Sequence, residues 1–394
     1  MKISKCLAIV AVSVLAVSCD SFQTEPEFSE ENETVSECPL PEVARLIADL
    51  PMQREQLREV HNAVCSSSEN GYDEEYLMKD LFDSPGNGVG DASGTKASVY
   101  DCPMRDLIRN QLESKFRTKA GLGDAQSVEE YIEKLIGSGT QIYWPYSENW
   151  NGQTLPILTF DPENSSSTNK GYEIVLNPDG SRDVIEVEVN EAMAEKRPVW
   201  VINRNDDSSY KSLEMRRKED PDWGLGGEID VSTKASSGFH TLILKQFKMK
   251  RNYDSWFGGA SEFFIKMGGV NGFKAKTEEE MRNYQPSVTD FMVVVRRGQK
   301  DKPVLFNTIV VSNWTDQMED YAFLITEDDG GTTTNWKCSA TVKVMSKSYG
   351  FDLDIPYKDK DDIVWRGSLA REYLEQYNGK YEKFGDVELM FEIR

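Results

Sequence analysis

From Pro41 onward apolar residues recur at helical spacing. Val43, Leu46, Ile47 and Leu50 fall at i, i+3, i+4 and i+7, and beyond Pro51 so do Leu57, Val60, His61 and Val64. The pattern predicts two short amphipathic helices joined at Pro51 as a hairpin. Residues 73–82 predict a third helical piece, ending at the glycine-rich stretch 86–94. Met104, Ile108, Leu112 and Phe116 form the stripe of a fourth, opened by Pro103, whose missing N–H is harmless in a first turn. Ser127 with Glu130 resembles a capping box for a fifth, which carries Val128, Tyr131, Ile132, Leu135 and Ile136 and closes at Gly137. Residues 38–137 are therefore expected to form a small helical region.

Past Thr140 the period shortens to two. Ile185, Val187 and Val189 alternate with Glu186 and Glu188, the pattern of a strand with one wet face. Residues 155–160 and 198–202 are expected neighbours, separated by turns such as Asn177-Pro178-Asp179-Gly180. These make residues 138–232 a first β unit, followed by a small polar linker at 234–238. The remainder, 233–394, predicts eight strands at 239–247, 262–267, 291–295, 304–311, 321–325, 337–345, 351–355 and 387–393, with one helical insertion near 372–377. Their spacing suggests a two-sheet sandwich, of which a C2-like domain is one form. The expected class is α+β, mostly β: a small N-terminal helical region, then antiparallel β units, the last a β-sandwich.

Ahead of this pattern the chain reads as an address. Lys2 and Lys5 precede an uncharged run over residues 6–17, the layout of an export signal. About twelve residues are too few to span a hydrocarbon core, which needs roughly twenty. Leu15, Ala16, Val17 and Ser18 before Cys19 resemble the bacterial lipoprotein processing box, with Ala16 where that box usually has Leu. Residues 1–18 are then a signal peptide and Cys19 the lipidation site, carrying acyl chains such as palmitate; ordinary cleavage near Ser18 is the alternative. More than one acyl chain anchors stably to a lipid bilayer. Residues 19–37 hold seven acids and no Lys or Arg, so they are expected to be a self-repelling disordered tether. An acidic segment so placed resembles surface-export signals of Bacteroidota lipoproteins. The expected location is the outer membrane, on its periplasmic or its surface face.

Charge narrows the partners. Lys and Arg number 45 against 67 Asp and Glu, and losing Lys2 and Lys5 takes the net from -22 to near -24. A chain this acidic repels phosphate backbones, so no nucleic-acid partner is expected. Of six cysteines, Cys38, Cys65, Cys102 and Cys338 remain after the leader and anchor, enough for two disulfides with three connectivities. Cys38 lies just before the first helix and Cys65 ends the second, so a hairpin predicts a Cys38–Cys65 disulfide. Cys102 and Cys338 are left open between a second bridge and free thiols.

Tyr143-Trp144-Pro145-Tyr146, Pro221-Asp222-Trp223-Gly224, Tyr253-Asp254-Ser255-Trp256-Phe257, Thr326-Glu327-Asp328-Asp329-Gly330 and Ser348-Tyr349-Gly350-Phe351 together resemble a group of uncharacterised Bacteroidota lipoproteins. The resemblance covers most of the mature chain. It implies export and brings no catalytic residue.

Catalytic motifs are sparse. His61 and His240 form no His-Glu-x-x-His pair, and no Gly-x-Ser-x-Gly elbow is present. Ser93-Gly94-Thr95-Lys96 and Ser167-Thr168-Asn169-Lys170 match Ser-x-x-Lys by chance in polar loops. Gly86, Gly88 and Gly90 lack the strand and the Lys-Ser/Thr ending of a phosphate cradle. Two features stand above this background. Glu327, Asp328, Asp329, Asp352, Asp354, Asp359, Asp361 and Asp362 could offer hard oxygens to calcium if their loops meet at one end of the sandwich, or form a solvated acidic rim. Tyr143, Tyr146 and Trp150 are candidate ligand-binding rings for a glycan or a protein, with Trp144 the expected core member; filling the core is the alternative for all of them. The expected function is a cell-envelope lipoprotein acting as a non-enzymatic binding or scaffolding module. The alternative is a secreted carboxylate-dependent hydrolase of glycosidase type.

Overall fold

The computed structural model describes residues 38–83, 100–120, 125–162, 164, 166–205, 210–220 and 239–394. The leader, Cys19, the tether, the 86–94 loop with Ser93, the Pro221–Gly224 motif and the 234–238 linker lie outside the described residues. No described helix is long and apolar enough to cross a membrane.

The first half comprises α1 (Leu40–Ala48), α2 (Arg54–Glu69), β1 (Glu75–Leu77), α3 (Met78–Phe82), α4 (Met104–Ala120), α5 (Ala125–Gly137), β2 (Thr140–Tyr143), β3 (Ile157–Phe160), β4 (Thr168–Leu176), β5 (Arg182–Asn190), α6 (Glu191–Ala194) and β6 (Val199–Arg204). Its sheet has the order β1-β2-β6-β3-β4-β5. Neighbours pair antiparallel except β3 and β6, which run parallel because β4, β5 and α6 carry the chain between them. Alternation assigns the two faces. Ile142, Leu158, Trp200 and Ile202 join the core beneath the helices, while Tyr143, Ile157, Val199 and Val201 point the other way into a smaller cluster. Strands covered on both sides read as continuous apolar runs, as 199–202 does.

Three local expectations change here. Residues 75–77 form a strand, because pairing with β2 satisfies their backbone better than a helical turn would; only Met78–Phe82 is helical. Ser127 is no cap, since α5 begins two residues earlier. The expected Cys38–Cys65 disulfide is absent, and all four described cysteines are free thiols. The reason is packing: α1 lies on β3, β6 and β4, whereas α2 packs against β1, so the two do not close as a hairpin. The Cys38 carbonyl accepts from Arg204 at 2.8 Å, and its thiol neighbours Tyr131 and Lys134. Cys65 instead faces His61 and Ser147.

After α7 (Leu213–Glu219) comes the sandwich: β7 (His240–Met249), β8 (Ser261–Gly269), α8 (Glu278–Met281), β9 (Ser287–Val295), β10 (Val304–Trp314), β11 (Met318–Glu327), β12 (Thr333–Val344), β13 (Lys347–Lys358), β14 (Asp362–Ala370), α9 (Arg371–Gln376), β15 (Tyr381–Phe384) and β16 (Val387–Ile393). One sheet runs β10-β7-β16-β15; the other runs β13-β12-β11-β8-β9, with β14 also on β11. Rings from the two sheets meet in the middle, Phe247 on Phe263 at 4.9 Å and Phe391 on Phe323 at 5.8 Å between centroids. The strands β14 and β15 go beyond the eight that the spacing suggests.

The segment 250–260 between β7 and β8 is an arm from the sandwich to the first sheet. Trp256 and Phe257 bury themselves among Tyr143, Ile157, Val199 and Val201. Trp256 Nε1 donates to Ser167 O at 3.1 Å, and Asn203 Nδ2 donates to Phe257 O at 3.1 Å.

Candidate functional site

Where the two cores meet, the chain leaving β2 makes a tight excursion. Trp144 N still donates to Glu74 O at 2.9 Å, then Pro145 ends the pairing. Tyr146 adopts φ +59°, a left-handed conformation that costs a bulky residue energy and persists only when its surroundings hold it. Its hydroxyl donates to Glu191 Oε1 at 3.0 Å. The following turn is fixed by Glu74, whose Oε1 accepts from Ser147 N at 3.1 Å and Ser147 Oγ at 2.7 Å.

This excursion carries the sequence-predicted rings, and it sorts them. Tyr143 and Trp144 are fully buried, while Tyr146 and Trp150 are partly exposed. Trp200, Trp144, Trp150 and His61 form a graded stack from core to surface, with successive centroid separations of 5.5, 5.4 and 5.0 Å. Trp150 is held in place, its Nε1 donating to Thr154 O at 3.0 Å. The turn beneath is set by Asn151 Oδ1, which accepts from Gln153 N and Thr154 N, both at 2.9 Å. Glu148, Asn149 and Asn151 around it are exposed. The result is a fixed aromatic ledge rimmed by polar side chains.

Ionic groups missed in the sequence stitch the seam below the ledge. Arg297 Nε donates to Glu191 Oε1 at 2.7 Å, and its Nη1 to Asp254 O at 3.1 Å. Burial alone would raise the Glu191 carboxyl, but the Arg297 guanidinium holds it below its ordinary value. Gly298 packs closely here: a Cβ on it would come within 3.1 Å of Glu148 Oε1, and the exposed glutamate would have to shift by a few tenths of an ångström. Asp73 Oδ2 accepts from Ala260 N at 2.8 Å. Glu74 is 2% exposed and its carboxyl is pushed up to about 8, by burial first and then by Asp73, although Arg296 Nη1 lies 3.7 Å away.

Cys65 Sγ lies 3.7 Å from His61 Nε2, one helical turn away. Burial, then Glu74, pushes that thiol up, the opposite of what a nucleophilic cysteine needs. His240 stacks edge-on to Trp314 at 6.1 Å. Comparison with known protein families, curated proteins and solved structures gives no match.

The acidic residues of the sandwich divide by role. Asp328 pairs with Lys358 Nζ at 2.8 Å through both oxygens. Asp359 accepts from Thr332 N and Oγ1, each at 2.8 Å, and these bonds hold its carboxyl below the usual range. Asp361 accepts from Lys358 N at 3.0 Å. Burial, then Asp362, raises Asp329. These loop acids tie the β11–β12 and β13–β14 turns together. Asp352 and Asp354 stand elsewhere, exposed on β13 opposite Ser339 and Lys337. Glu327 is the most deeply buried of them. Its oxygens gather with those of Asp254 and Glu262, all within 4.8 Å of one another. At that separation each ionised pair repels by about 3.5 kcal/mol for an effective dielectric near 20. Burial, then Asp254, pushes the Glu327 carboxyl up to about 11.

A small cavity beside the seam, about 150 Å³, is lined by Tyr72, Glu214, Val294, Arg296, Gln299 and Phe306. Sites for drug-sized ligands run from roughly 300 Å³ upward.

Proposed function

We propose that the protein is a cell-envelope lipoprotein, anchored in the outer membrane by acylated Cys19, whose folded body acts as a non-enzymatic binding or scaffolding module. Trp150 and His61 form its contact surface, and the ligand is a glycan or peptide with a flat apolar face. The supporting observation is the stack of Trp200, Trp144, Trp150 and His61, which fixes a partly exposed indole before any ligand arrives. Preorganised rings lose little entropy on binding. The acidic stretch after Cys19 holds this surface away from the bilayer, on the periplasmic or the surface side.

Carboxylate-dependent hydrolysis is the second reading, favoured by the raised carboxyl of Glu74, a property of general acids. Against it, Glu74 is buried and its Oε1 already accepts two hydrogen bonds from Ser147. A glycan array and peptide library run beside a hydrolase-substrate panel separate the two. Retention of an unaltered ligand supports binding, whereas turnover without retention supports the hydrolase.

A further inference from the structure

Glu327 ends the strand row that begins with Phe323 and Ile325, so the two-residue period turns its carboxylate to the same side as those core residues. It is 1% exposed, and among the described residues no N–H or hydroxyl donates to either of its oxygens; the one side chain close enough to share a proton with it is another carboxyl, Asp254. A buried carboxylate without donors is costly, and native structures seldom leave one unexplained. What surrounds it is more oxygen. Asp254 arrives from the 250–260 arm and Glu262 from β8, and the three side chains each bring an oxygen within 4.8 Å of the others. Two oxygens on one calcium ion lie at most about 4.8 Å apart, so every pair in this group meets the limit for sharing an ion, and a slight inward closing of the three side chains completes the contact. The donors are all hard carboxylates, with neither imidazole nor thiolate in the group, which selects hard cations over zinc or copper.

We propose that Asp254, Glu262 and Glu327 bind one hard divalent cation, which fastens the arm to the sandwich edge and thereby fastens the sandwich to the first sheet. The mechanical link is explicit. Asp254 sits two and three residues before Trp256 and Phe257, which plug the first sheet, and its carbonyl accepts from Arg297. Fixing the Asp254 side chain on an ion therefore fixes the arm at both ends.

The test uses the full chain stripped with chelator and then titrated separately with calcium, magnesium and manganese chlorides, read by calorimetry and by melting temperature. The expected result is one saturable site per chain for at least one of these ions and a melting temperature raised by several degrees. Glu327→Gln should abolish both, and Asp359→Asn, in the exposed loop, should keep both. Should Glu327→Gln fail to fold, Asp254→Asn serves in its place. A calcium preference over magnesium identifies the larger, more flexible shell, and the reverse identifies the compact octahedral one; either supports the site. No heat and no melting shift with any of the three ions would overturn the proposal, as would a response that Glu327→Gln or Asp254→Asn retains in full.

Discussion

Arg297 Nε lies 2.7 Å from Glu191 Oε1, joining the turn after β9 to the start of α6 across the seam between the two cores. The arginine side chain is 6% exposed and the glutamate 34%. Removing one partner of such a pair leaves a charge poorly compensated. Arg297→Met should cost about 2 to 3 kcal/mol in urea unfolding, less than a fully buried pair because Glu191 keeps some water. Glu191→Gln added to Arg297→Met should then cost little more. Strictly additive losses in the double-mutant cycle would show the pair to be uncoupled.

The two tryptophans of the ledge should separate stability from recognition. Trp144→Ala opens a cavity between Trp200 and Trp150 and should cost about 3 to 5 kcal/mol. Trp150→Ala, at the rim, should cost no more than about 1 to 2 kcal/mol, since part of its ring already faces water. Equal losses in chemical denaturation would make Trp150 a core residue.

Glu74 should make stability depend on pH. Its folded value is raised from 4.5 to about 8, so between those limits the folded chain keeps a proton that the unfolded chain releases. Its contribution is complete below about pH 4.5 and is lost as pH rises through 8. Asp73 and Glu148 act with burial to raise it, while Arg296 opposes them. Glu74→Gln keeps the acceptor for Ser147 and removes the titration. Between pH 5 and 9, wild type should therefore lose stability relative to the variant, by on the order of a few kcal/mol. Parallel curves for the two proteins would refute this.

Metabolic labelling with a fatty acid should mark the wild-type chain and not Cys19→Ala, and the variant should leave the membrane fraction. Equal labelling of both would remove the tether from the account.

Much of this was legible along the chain, for reasons specific residues make clear. Period two in residues 351–355 and 387–393 marks strands because one face of each is buried and the other wet. Trp144 is buried and Trp150 half-buried at the rim of the same core, a difference that follows the turn signalled by Asn149 and Asn151 around the second ring. The three-residue strand β1 has no local signal, since pairing with β2, a tertiary contact, is what makes it a strand. The apolar stripes of α1 and α2 announced that each buries a face, but not that the sheet, rather than the other helix, covers it; the disulfide expectation failed on that point. The carboxylate group was half visible. Glu327 stands out within an acidic run, yet the carboxylates that gather with it, Asp254 and Glu262, lie in different segments and share no local spacing with it. Arg297 and Glu191 gave no local signal, because a lone charge acquires its meaning from what packs beside it.

The most direct test of the binding account is a calorimetric titration of a ligand retained in the glycan or peptide screen, against wild type and Trp150→Ala, with mass analysis of the ligand afterwards. Binding to wild type should be saturable and binding to the variant at least tenfold weaker, with the ligand recovered at unchanged mass. Equal affinity for both proteins, or a ligand recovered cleaved, would contradict it.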